Sequence, residues 1–104
     1  MAYEVDLQLV VCIVNSGFSE GVMEAAREAG AKGGTIIQGH GTANQISEQL
    51  LQIAIEPEKE IVLIVVPSKI KDDVMFSINK KYNLSTQSKG ITFSLPVTHA
   101  IGLN

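Results

Sequence analysis

The sequence predicts an α+β domain: one antiparallel four-stranded sheet with two helices packed on the same face. Three observations point there. Residues 9–14 and 61–66 are apolar without interruption, as in strands buried on both faces. Two other segments carry apolar residues at helical spacing. The elements follow one another as βαβ and then βαβ again within 104 residues, which is enough for one domain and one modest core.

The first strand spans residues 5–14, where Val5, Leu7 and Leu9 alternate with Asp6 and Gln8 before the run turns wholly apolar. Asn15, Ser16 and Gly17 make a turn, and Ser16 or Ser19 can cap the helix that follows. Val22, Ala25, Ala26 and Ala29 form its buried stripe, and Gly30 ends it. A second strand covers residues 35–38. Residues 43–49 are polar and read as a loop. Leu51, Ile53 and Ile55 alternate with Gln52 and Ala54 as a short strand, and residues 56–60 read as a hairpin turn around Pro57. The strand at 61–66 closes at Pro67. Ser68 is placed to cap a helix whose stripe is Ile70, Val74, Ile78 and Tyr82. Residues 83–90 form a polar loop, residues 91–95 the last strand, and Pro96 begins a tail.

Two split βαβ halves of this size make a ferredoxin-like βαββαβ sandwich, a single domain over residues 1–104. One consequence is oligomeric. Ile61, Leu63 and Val65 point to the face opposite Val62, Ile64 and Val66, yet both sets are apolar. Helices cover one face only, so a monomer would expose a large hydrophobic patch, which soluble proteins rarely tolerate. The sequence therefore predicts a homo-oligomer.

Composition narrows the function. Charged residues make up 18% of the chain and the net charge is −3, with eight scattered Lys and Arg residues. That argues against a nucleic-acid footprint, and three Phe and two Tyr are too few for a base-stacking platform. The single cysteine, Cys12, lies in an apolar run and reads as a buried, inert thiol. No apolar run is long enough to cross a bilayer, and the N-terminus lacks secretory features, so a cytoplasmic protein is expected.

The most informative stretch is residues 30–42, Gly-Ala-Lys-Gly-Gly-Thr-Ile-Ile-Gln-Gly-His-Gly-Thr. Two glycine-rich turns bracket a short strand. Glycines there let backbone approach a ligand, and exposed N–H groups in such turns can cradle an anion. They also serve simply to cap a helix and allow tight turns.

Three segments carry a family resemblance. Residues 24–35, "EAAREAGAKGGT", resemble a helix ending in Gly-x-x-Gly-x-Thr in the P-II nitrogen-regulatory signalling family, particularly its divergent P-II-like branch. Residues 59–67, "KEIVLIVVP", resemble its third strand, and residues 90–101, "GITFSLPVTHAI", its fourth strand and tail. The resemblance implies a homotrimer with sheets turned inward and nucleotides in the clefts between subunits. It implies a regulatory protein rather than an enzyme, with no required cofactor. Effector binding in that family reshapes the loop after the second strand, here shortened to about residues 43–50, and that loop docks on a target such as a membrane transporter.

Carried over by position, the resemblance implies a nucleotide site at Thr35, Gly39, His40, Gly41, Thr42, Lys59, Val65, Lys89 and Gly90. Thr35 corresponds to the threonine beneath the adenine, Gly41 to the base of the variable loop, and Lys59 to the lysine opening the third strand. Lys89 and Gly90 fall in the phosphate loop. The chain also departs from the pattern. Ser88-Lys89-Gly90-Ile91 replaces Gly-Asp-Gly-Lys, Gly102 and Asn104 replace arginines, and Leu63 stands where glutamate is usual. The loop carries no tyrosine, which excludes uridylylation of the familiar kind. Charge-assisted phosphate contacts are worth roughly 1.5–3 kcal/mol each, so their loss favours AMP or ADP over ATP.

The alternative function is a metal-binding trimer of the metal-tolerance type, which shares the architecture. It requires His40 or His99, the only histidines, to converge with carboxylates. Glu56, Glu58 and Glu60 are such carboxylates, although their place around Pro57 reads as a solvated turn. No nucleophile–base pair is suggested by spacing, so no catalytic or metal residue is assigned.

Overall fold

The computed structural model describes residues 3–42 and 58–103. Its elements run β1 (Tyr3–Asn15), α1 (Ser19–Glu28), β2 (Thr35–His40), β3 (Glu58–Pro67), a 3₁₀ turn (Ser68–Ile70), α2 (Lys71–Lys81) and β4 (Ile91–Ala100). The four strands form one sheet in the order β2-β3-β1-β4, with every neighbouring pair antiparallel. This is the expected ferredoxin-like sandwich. The strand read at residues 51–55 and the loop at 43–50 lie outside the described residues.

The strand pleat separates two apolar sets. Val10, Cys12 and Val14 of β1 and Val62, Ile64 and Val66 of β3 are fully buried with Val22, Ala25 and Ala26 of α1 and Val74 and Ile78 of α2. Alanines on α1 let that helix sit close to the sheet. At Gly34, where the chain enters β2, an added Cβ would crowd the Leu63 carbonyl at 2.7 Å, so only glycine fits. Ile70, Met75 and Tyr82 pack partly buried against the core, and Met23 is buried within it.

Four details differ from the sequence expectation, each for a physical reason. Residues 58–60 are strand, not turn: Glu58, Lys59 and Glu60 pair with β2, and Lys59 and Glu60 also pair with β1. Their charges conceal them from an apolar-pattern reading. β2 continues through Gly39 and His40, which pair with Lys59 and Glu58. β4 continues past Pro96, which pairs with Gln8. Proline is tolerated there because β4 is an edge strand, where not every N–H is needed for pairing.

The helix caps also differ from the expectation. Neither Ser16 nor Ser19 caps α1, whose N-cap is Phe18 without a side-chain bond, and Ser68 does not cap α2. Glu60 reaches across from β3 instead. Its Oε1 accepts hydrogen bonds from the backbone N–H groups of Gly17 at 2.8 Å and Ser19 at 3.3 Å, and its Oε2 accepts from Gln38 Nε2 at 3.2 Å.

Candidate functional site

The uncovered face of the sheet is built of rungs running across the strands. One rung is Ile91, Ile13, Ile61 and Ile37; the next is Phe93, Val11, Leu63 and Thr35; the third is Leu95, Leu9 and Val65. Apolar surface is continuous across the strands. Val65, Phe93, Ile37 and Leu95 are 40–50% exposed. Nothing in the described chain covers them, as the pattern of the sequence predicted.

A polar rung ends this ladder. Asn15, Lys59 and Gly39 lie side by side at the ends of β1, β3 and β2. Lys59 Nζ donates to Asn15 Oδ1 at 2.7 Å. Asn15 Nδ2 donates to the Gln87 carbonyl at 2.8 Å, and the Asn15 backbone N–H donates to the Ser88 carbonyl at 2.8 Å. The loop before β4 is thus fastened to the same end of the sheet. Among the described residues, the Lys59 ammonium has no carboxylate within ion-pair distance.

Lys89 and Gly90 sit in that loop. Lys89 holds φ at +51°, a left-handed conformation uncommon for a side-chain-bearing residue, and strain of this kind is often stored at functional sites. Its backbone N–H donates to the Thr86 carbonyl at 3.0 Å, and that of Gly90 donates to the Asn83 carbonyl at 3.1 Å. Both backbone groups are therefore engaged within the loop, and the exposed Lys89 side chain is a cation that this loop can offer an anion. Gly90 is buried, and a Cβ there would collide with the Tyr82 carbonyl.

The structure divides the other candidate residues between two faces. Thr35, Lys59 and Val65 share the open face, Thr35 on the Leu63 rung and Val65 on the Leu9 rung. Lys59 and the Thr35 rung are four residues apart along β3, about 13 Å at strand rise. His40 lies on the helix face, with Nδ1 3.8 Å from Glu58 Oε1. Gly41 and Thr42 directly follow the end of β2. A cavity of about 370 Å³ borders Val65, between Gly30, Ala31 and Lys32 on one side and Pro67, Lys69 and Ile70 on the other.

His99 contacts Thr98 Oγ1, at 3.2 Å. Among the described residues, no three His, Cys, Asp or Glu side chains gather as metal ligands. Glu60, read from sequence as part of a solvated turn, is a structural acceptor whose carboxyl is held below the usual range, chiefly by the Gly17 N–H. Burial raises the Cys12 thiol above its ordinary value, against a smaller opposing effect of the Thr92 hydroxyl. Asn15 is the residue that the sequence reading missed. A polar residue ending an apolar strand looks like turn punctuation, and only the fold shows what its carboxamide joins.

Fold and site together define a ferredoxin-like protein with an open apolar sheet face and cationic groups at one end of it. The sequence profile described as nitrogen regulatory protein P-II matches residues 7–103, and the chain belongs to that family. Among solved structures, CPII from Thiomonas intermedia K12 bound to ADP, AMP and acetate is similar at a TM-score of 0.69 and 15% identity, covering 96% of this chain and 91% of that one. Arabidopsis thaliana PII bound to citrate is similar at 0.67 and 21% identity, covering 90% and 79%. A protein described as PII-like and signalling, from Thermus thermophilus, is similar at 0.68 and 18% identity, covering 89% and 87%. No curated protein sequence matches the chain significantly. Among the described residues, no helix is long and apolar enough to cross a membrane.

Proposed function

We propose that the chain is a regulatory protein that works as a ring of three copies, open sheet faces inward, and binds an adenine nucleotide where neighbouring sheets meet. The observation that carries this reading is the apolar ladder ended by the Gly39–Lys59–Asn15 rung. The ladder supplies the area that copies need to bury, and the rung sets an ammonium at its margin. Thr35 and Val65 then lie where a base would rest, and Lys59 and Lys89 where phosphate would. The solved relatives with ADP and AMP support the ligand class.

AMP or ADP suits this chain better than ATP. Lys59 and Lys89 are cations at this end, whereas Gly102 and Leu63 contribute no charge. Ligand binding would act on residues 43–50, which follow the candidate residues His40, Gly41 and Thr42, and a target protein would read the change. Only an effector that favours one arrangement can shift such an equilibrium.

Titration calorimetry with AMP, ADP and ATP tests the reading on protein whose oligomeric state has been verified. AMP or ADP is expected to bind at least tenfold more tightly than ATP, and Lys59→Ala to weaken the interaction about tenfold. An intact oligomer that binds none of the three overturns the effector assignment.

A further inference from the structure

The side chain of Asn15 holds two bonds with opposite roles. Its Oδ1 accepts from the Lys59 ammonium at 2.7 Å, and its Nδ2 donates to the Gln87 carbonyl at 2.8 Å. Only one orientation of the carboxamide satisfies both partners, because lysine cannot accept and a carbonyl cannot donate. The Asn15 backbone adds a third tie, to Ser88, one residue before Lys89. One side chain at the end of β1 thus joins β3 to the loop that carries the second cation.

We propose that Asn15 is a positioning residue for anion capture: it parks the Lys59 ammonium on a neutral amide and holds the Lys89 loop in register with it. This deepens the nucleotide reading above and rests on it. The chemistry favours an amide in that place. A carboxylate would neutralise Lys59 and compete with an incoming phosphate, whereas a neutral acceptor fixes the direction of the ammonium and releases it readily. An amide also supplies the N–H that the Gln87 carbonyl requires, and a carboxylate would repel that carbonyl.

Two measurements test this, and the first needs no nucleotide. Amine-selective acetylation of the ligand-free protein, read by mass spectrometry with the other lysines as internal references, is expected to modify Lys59 fastest in Asn15→Ser. Wild type is expected to be intermediate and Asn15→Asp slowest. The serine variant, too short to reach either partner, keeps the comparison with wild type decisive if the aspartate variant does not fold. An unchanged Lys59 rate in the folded variants overturns the parking role.

The second measurement is a double-mutant cycle read by ADP affinity. N15S, which removes both side-chain ties without adding a charge, is expected to weaken ADP binding about tenfold or more when Lys59 is present, and at least threefold less than that in the K59A background, where only the tie to the Lys89 loop is lost. Equal losses in both backgrounds mean that Asn15 acts only through the loop or the general fold, and they overturn its role in positioning Lys59. Wild-type protein that binds no ADP overturns the nucleotide reading instead, while the acetylation order still decides the role of Asn15.

Discussion

Glu60 Oε1 lies 2.8 Å from the Gly17 backbone nitrogen, so a carboxylate on an inner strand of the sheet caps the helix that follows the neighbouring strand. The same side chain receives Ser19 N–H and Gln38 Nε2, tying β3 to the start of α1 and to β2. Free N–H groups at a helix N-terminus need acceptors, and a negative one also favours the helix dipole.

Replacing Glu60 by Ala is therefore expected to destabilise the fold by about 1 kcal/mol, the usual loss for a helix cap. Chemical denaturation at neutral pH measures it.

The pH dependence has a definite sign. The native Glu60 carboxyl is held below its ordinary range, mainly by the Gly17 N–H. Its contribution is present above the unfolded-state pKa and is lost as pH falls through the native one. The stability gap between wild type and Glu60→Gln is thus expected to be largest near neutrality and to shrink below about pH 4. Urea midpoints between acid and neutral pH would reveal it, and a gap that widens in acid would contradict the assignment.

Gly90→Ala addresses the loop before β4. Its Cβ would collide with the Tyr82 carbonyl and press on Val14, both parts of the packed frame. A loss of about 3 kcal/mol is expected, at the upper end for overpacking. Thermal melting checks it, and a neutral substitution would mean that the loop relaxes freely.

Cys12 is fully buried and its thiol is raised by burial. Alkylation by a thiol reagent is expected to be negligible in the native protein and complete in denaturant. Fast native labelling would show that the sheet and helices part readily.

Much of this arrangement was legible in the sequence. Alternation at Val62, Ile64 and Val66 against Ile61, Leu63 and Val65 revealed a sheet with two apolar faces, because strand side chains point alternately to each face. Val74 and Ile78 marked the buried side of α2 through helical spacing. Residues 58–60 escaped because charged residues after a proline look like a turn, and pairing across strands is a long-range fact that local pattern does not carry. The same limit hid Asn15 and Glu60, whose partners are 72 and 43 residues away in the chain. Family resemblance offered Thr35 and Lys59 as candidates, and the fold puts both on one face of the sheet.

The open face yields the most direct test. Every rung from Ile13 to Leu9 is apolar at its centre, and Phe93 stands 40% exposed beside Val11. Native mass spectrometry of the purified protein is expected to give three times the 11.2 kDa chain mass, and Phe93→Asp to shift that species toward single chains. A wild-type protein that remains a stable, soluble single chain at micromolar concentration would contradict the account.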